Sequence, residues 1–116
     1  MRSASTGLLA LCLAASAAWS QQGNPADDVS QGHHLAVEIC AFCHVAAPDQ
    51  RAEPILHPPA PPFAVIMQRK DVTAQSLTDF INKTHRGLDE PNGMPNPSLA
   101  DYQIKQVVAY LMSLQK

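Results

Sequence analysis

Two cysteines three positions apart with a histidine directly behind them, Cys40-Ala41-Phe42-Cys43-His44, constrain this chain more than any other feature in it. On a helical turn, residues i and i+3 project from neighbouring positions on one face. The two thiols therefore address one object, and His44 follows within reach of it. A disulfide between them would brace little of the chain, because such bridges act by closing long loops. The motif reads instead as an attachment point for a bound group.

Size also points to such a group. The chain has 116 residues, enough for one domain. Arg2 precedes an apolar run from Gly7 to Ala18, and small residues follow at Ala15, Ala17, Ala18 and Ser20. A charged start, a short apolar stretch and a small-residue cleavage zone read as a secretory signal peptide. A bilayer span needs roughly 20 apolar residues, and this run is shorter. Bulky Leu11 before Cys12 argues against a lipid anchor there. Cleavage fits after Ala18 or Ser20; the boundary is set at Ser20. Export to an oxidising compartment, the periplasm, follows, with no membrane span once the signal is removed. The remaining 96 residues hold Cys40 and Cys43 as their cysteines. A domain that small buries only about 60–65% of its unfolded surface and usually needs a disulfide, metal or cofactor as a staple. Seven Lys or Arg stand against ten Asp or Glu in that part. There is no basic stripe of the kind that nucleic-acid binding requires.

The rest of the chain reads as helices separated by proline. Residues 21–28 are polar and read as a flexible leader, with the domain running from 29 to 116. Asp27, Asp28 or Ser30 is positioned to cap a first helix, on which Leu35, Ala36, Ile39, Cys40 and Cys43 share a face. His33 and His34 fall on its exposed side or near its start. Ala46 to Pro62 carries six of the ten prolines and reads as loop, since proline cannot donate to a helix or a ladder. Phe63 to Met67 allows one or two helical turns. Thr73 is placed to cap a third helix with Leu77, Phe80, Ile81 and Thr84 inward. Gly87 to Pro97 is a second loop, broken by Pro91, Gly93, Pro95 and Pro97. Ser98 and Asp101 resemble a capping box before a last helix bearing Ile104, Val107, Val108, Leu111 and Leu114. No stretch alternates with a period of two. The fold class is all-α, with three or four helices and two long loops.

C-x-x-C-H is a haem attachment pattern: two thiols can form thioethers to the vinyl groups of one porphyrin while His44 reaches its iron. A thioredoxin-like reading of C-x-x-C needs a βαβ context, which is missing. A zinc reading needs four ligands, with one of His33, His34, His57 or His85 completing Cys40, Cys43 and His44. The second axial candidate is Met94, in Asn92-Gly93-Met94-Pro95-Asn96-Pro97. A Met among Gly and Pro has no helical face to pack, and a loop can hold its sulfur over iron. Met67, in an apolar run, and Met112, inside a helix, read as packing residues. His85 is the alternative ligand, or a partner for a haem propionate.

Together Gly32, Cys40-x-x-Cys43-His44, Ala60-Pro61, Met94-Pro95 and Val107-x-x-Tyr110-Leu111 resemble the class I cytochrome c family, over nearly all of the chain from Gly32 to Leu114. The resemblance implies one haem c, bonded through Cys40 and Cys43 and ligated by His44 and Met94. It implies that the first and last helices cross, with Gly32 allowing contact and Tyr110 packing at the crossing. The family's aromatic partner in the first helix falls at Ala36. Pro61, or failing it Pro62, would offer its carbonyl to the other ring nitrogen of His44, and Phe63 would lie against the porphyrin. The implied function is single-electron transfer between redox partners, a dehydrogenase, an oxidase or another cytochrome, without catalysis of its own. Docking would use the exposed haem edge, with Arg69, Lys70, Lys83 and Arg86 around it. The alternatives are a gas-binding, sensing or small catalytic haem with a labile Met94 side, and an electron-transfer subunit of a periplasmic dehydrogenase.

Overall fold

A computed structural model describes residues 23–83 and 93–116. The signal segment, Thr84, His85, Arg86 and the first part of the second loop lie outside the described residues. Four α-helices follow in order: α1 (Pro25–Ile39), α2 (Phe63–Ile66), α3 (Ala74–Asn82) and α4 (Asp101–Ser113). A 3-10 turn, Cys40–Phe42, directly continues α1. Among the described residues there is no strand, only an isolated parallel bridge between His44 and Ala60.

Helix α1 begins earlier than its acidic residues suggest. Asn24 is the cap, its side-chain oxygen accepting from the Ala26 N–H at 3.1 Å, and Pro25 occupies the first turn. Proline suits that position because its fixed φ is helical and its missing N–H has no intrahelical partner there. Asp27 and Asp28 are therefore not caps. They lie in the first turn, where carboxylates favour the positive end of the helix, and Asp28 also pairs with Lys105 of α4 at 2.8 Å. The stretch read as leader is thus helical from Pro25 onward. Helix α3 starts where Thr73 suggests, with reciprocal bonds between Thr73 and Ser76 forming a capping box. Helix α4 does not start with Ser98. Its cap is Ala100, whose N–H donates to the Gln103 side chain at 3.0 Å. Ser98 instead has φ 53° and donates its N–H to the Asn96 side chain at 2.8 Å. The left-handed turn this builds keeps its hydroxyl from capping.

The core forms where α1 crosses α4, with α3 packed on α4. Its buried members include Ala36, Phe63, Met67, Leu77, Ile81, Ile104, Val107, Val108, Tyr110 and Leu111. Met67 is 2% exposed, so it is indeed a packing residue, and Met112 packs partly buried against the same core. Phe80 departs from the expected inner face of α3: it is 47% exposed, while Leu77 and Ile81 turn inward.

Gly32 sets the distance between the crossing helices. A Cβ there would overlap the backbone carbonyl of Gln106 and come within 2.9 Å of the Tyr110 Cβ. Backbone cannot move aside as a flexible side chain does. Gly32→Ala is expected to lower stability by about 3 kcal/mol, the upper end of ordinary overpacking, despite alanine's better helix propensity. A shift of the denaturant midpoint at unchanged slope would register it, and an unshifted midpoint would contradict this account of the crossing.

His33 is partly exposed, yet two neighbours engage it. Its ring meets Tyr110 edge-on, with centroids 5.2 Å apart and planes at 77°, and its Nε2 lies 2.8 Å from the Asp49 carboxylate. With Ala36 too small to offer an aromatic contact at the crossing, His33 supplies one. His34 is exposed, as expected, and pairs with Glu38 at 3.2 Å. The bond from His33 holds the Asp49 carboxyl below its ordinary range. A depressed carboxylate contributes stability above its unfolded pKa and loses it as pH falls through the folded value. The His33–Asp49 tie should therefore weaken in acid, as the carboxyl protonates. A carboxyl titration by NMR should return Asp49 to the ordinary range in His33→Ala; an unmoved titration would mean that another group depresses it.

Candidate functional site

The motif occupies one tight turn at the end of α1. The amides of Cys43 and His44 both donate to the Cys40 carbonyl, at 3.1 and 2.9 Å. Cys40 and Cys43 are free thiols, each partly buried. Burial, with Cys43 as the lesser cause, pushes the Cys40 thiol up to about 11. Thioredoxin-like chemistry needs a βαβ frame, and the described residues contain no strand. Nor do the described residues gather three or more His, Cys, Asp or Glu side chains into a metal-holding group.

The proline loop runs back beside the motif and pairs with it. Ile55, Ala60 and Phe63 donate their amides to the carbonyls of Phe42, Cys43 and Val45, at 2.9, 2.8 and 3.0 Å. This pairing delivers the Pro61 carbonyl to His44 Nδ1 at 2.7 Å. A carbonyl only accepts, so Nδ1 carries the proton and Nε2 keeps its lone pair for an external electrophile. Pro62 cannot replace Pro61, because its own carbonyl accepts from Val65 and Ile66 in α2, both at 3.0 Å. Phe63, 6% exposed, faces the His44 ring with centroids 5.0 Å apart.

Met94 lies half-buried in the second loop, next to Gly93. Asn96 ties this loop to the end of α3 by donating to the Lys83 carbonyl at 3.2 Å, while its oxygen accepts from Ser98. The expected docking charges are less available than their number implies. Arg69 forms a two-point pair with Asp71, at 2.8 and 3.3 Å, which offsets its charge. His85 and Arg86 lie outside the described residues.

The donor set fits haem c: two unoxidised thiols on one turn, followed by an imidazole whose proton is committed to the far nitrogen. Such a set offers two sulfurs for thioether bonds and one neutral nitrogen for iron. Apolar side chains left exposed nearby in sequence, Phe42 at 59%, Val45 at 41% and Ile55 at 72%, add the nonpolar surface that a porphyrin edge favours. Gln50 was not apparent from the sequence as part of this site. Its side-chain oxygen accepts from the amides of Ala46 and Ala47, at 2.6 and 3.3 Å. A lone Gln between Asp49 and Arg51 carries no spacing signal that would have marked it.

The chain matches the model of the family described as Cytochrome c over residues 29–115. No curated protein and no solved structure matches it. The match spans most of the chain and contains the thiol–thiol–imidazole turn, the crossing of α1 with α4 and both loops. The chain therefore belongs to the cytochrome c family, with the cytochrome c fold, a haem c bonded through Cys40 and Cys43, and electron transfer as its function.

Proposed function

We propose that this is an exported monohaem cytochrome of the class I type, which carries single electrons between protein partners with His44 and Met94 as the two axial ligands. The 2.7 Å bond from His44 Nδ1 to the Pro61 carbonyl carries this reading. It fixes the ring's tautomer and orientation and leaves Nε2 as the coordinating atom. When bound, haem c supplies an iron that cycles between two charge states by gaining or losing one electron.

The chain's own residues do the remaining work. Cys40 and Cys43 hold the group irreversibly, so each axial bond forms intramolecularly and at high effective concentration. Pro61 raises the basicity of the imidazole through the shared proton. Met94 would offer its thioether as the second ligand, a soft donor that favours the reduced state relative to other axial partners. With both axial positions filled by protein, no site is left for a substrate, and the ligand set need not change with the electron. Residues 1–20 act as the signal peptide and the periplasm is the destination. Among the described residues no helix is long and apolar enough to cross a membrane. The partners are redox proteins such as a dehydrogenase, an oxidase or another cytochrome, met at the exposed haem edge.

Optical spectroscopy of the mature protein tests the ligand pair. Sharp c-type bands on reduction and a weak sulfur-to-iron band at the red end of the oxidised spectrum are expected. Sharp bands without the red band would remove Met94 from the proposal while leaving the attachment intact. A mass spectrum of the same sample would report the cleavage site.

A further inference from the structure

The imidazole of His44 is held at its tip by Pro61, and backbone bonds hold His44 and Val45 to the turn and the proline loop. Ala46 and Ala47 beyond them have no regular structure, and two side chains anchor them. Ala46 and Ala47 are 1% and 4% exposed, so their polar backbone groups are shut away from water. Their amides both donate to the Gln50 side-chain oxygen, at 2.6 and 3.3 Å. The Ala47 carbonyl accepts from the Gln50 amide at 3.3 Å. The Ala46 carbonyl accepts from the buried Tyr110 hydroxyl of α4 at 3.0 Å. Every polar backbone group of the two alanines is thus answered by Gln50 or Tyr110. The Gln50 side-chain nitrogen reaches back to the His44 carbonyl at 3.5 Å and forward to that of Ala52 at 2.9 Å. Only an amide side chain both accepts and donates in this way without a charge. Tyr110 is itself seated at the helix crossing, with its ring against His33.

We propose that Gln50 and Tyr110 are positioning residues for His44, clamping residues 44–47 between the proline loop and α4 so that the imidazole meets its Pro61 partner and the iron in one orientation. The inference rests on the reading of His44 as an axial ligand. Breaking the clamp should free the ring locally, beyond any general loss of stability. A buried N–H left without an acceptor favours states that reopen to water, and such local openings are what amide exchange detects.

The test uses the haem-loaded protein in four variants: Gln50→Leu, Gln50→Glu, Tyr110→Phe and, as a control for stability alone, Val108→Ala. Val108 is a buried residue of α4 with no part in the clamp. Hydrogen exchange of the Ala46 and Ala47 amides and of the His44 ring N–H is followed by NMR in the reduced state, together with the midpoint potential. In Gln50→Leu and Tyr110→Phe the ring proton should exchange about tenfold faster than in Val108→Ala at matched denaturant midpoint, the scale of one lost hydrogen bond, and the potential should shift. Gln50→Glu keeps the acceptor oxygens for Ala46 and Ala47 but loses the donations to the His44 and Ala52 carbonyls, so its exchange should fall between wild type and Gln50→Leu. If Gln50→Leu and Tyr110→Phe follow Val108→Ala in both measurements, the clamp is refuted. Should Gln50→Leu fail to fold, Tyr110→Phe decides alone, since it removes a single oxygen. The ligand reading is judged separately, by whether the His44 ring protons are shifted by iron in the oxidised protein. Shifted protons with wild-type exchange would sink the clamp and leave the ligand standing.

Discussion

Replacing Met94 by Ala should leave haem c attached through both sulfurs, yet lower the reduction potential and open the iron to carbon monoxide. The attachment chemistry lies wholly in the turn that ends α1, where Cys40 and Cys43 share one face, and Met94 takes no part in it. In the proposed ligand set, Met94 contributes a tethered thioether. A tethered group competes with any external ligand at a high effective concentration set by its loop. Near Met94, Asn96 bonds to the Lys83 carbonyl at the end of α3 and to the Ser98 amide, which ties the described end of the loop. Removing the thioether should raise the apparent affinity of the reduced protein for carbon monoxide by about a hundredfold, the low end of what tethering contributes. The potential should fall because the axial sulfur stabilises the reduced iron more than other axial partners do. Two measurements decide: carbon monoxide binding followed by stopped flow, and a redox titration. Wild-type values in both would mean that the sixth ligand lies elsewhere, and His85 would be the next residue to replace.

The parts of this protein that can be read from its sequence are those governed by local rules. Thr73 caps α3 because a hydroxyl beside the first free amide forms its bond whatever lies further away. The breaks between helices follow from proline, which lacks the donor. The attachment turn follows from a spacing of three. Gly32 was legible only through resemblance, since nothing local explains a glycine in mid-helix. Its reason is a carbonyl on α4, far away in sequence. The two misread helix starts share one cause, competition between several local candidates. Asn24 with Pro25 prevails over Asp27 and Asp28 as a start for α1, and Asn96 draws Ser98 into a turn before it can cap α4. His33 looked exposed because the periodicity of α1 gives no hint that Asp49 and Tyr110 converge on it. Gln50 was invisible for the same reason. Its partners are backbone groups, which every residue has, and only the folded path of residues 44–52 makes them converge.

Cys40→Ala and Cys43→Ala together should have the largest effect of all, abolishing covalent haem and most of the folded state. The protein part of the core is small. Helix α2 is a single turn, α3 has nine residues, and the segment between Cys43 and Phe63 contributes Ala46, Ala47 and Pro54 as its buried side chains. A core on this scale leaves the domain marginal by itself. A bound porphyrin would add apolar surface for this core to bury, which contributes to folding in proportion to the area removed from water. The loops that pair with the motif would also lose the object that holds them near it. The double variant should therefore show a lost c-type spectrum, a mass equal to the bare mature chain, and helical circular dichroism far below that of the loaded protein. Each single variant keeps one thioether at most and should give a reduced yield of less stable holoprotein. If the double variant, made in a host competent for haem attachment, kept the full helical signal and the same unfolding midpoint, the polypeptide would be stable without its cofactor. The small size of the domain would then no longer explain why the two thiols are needed.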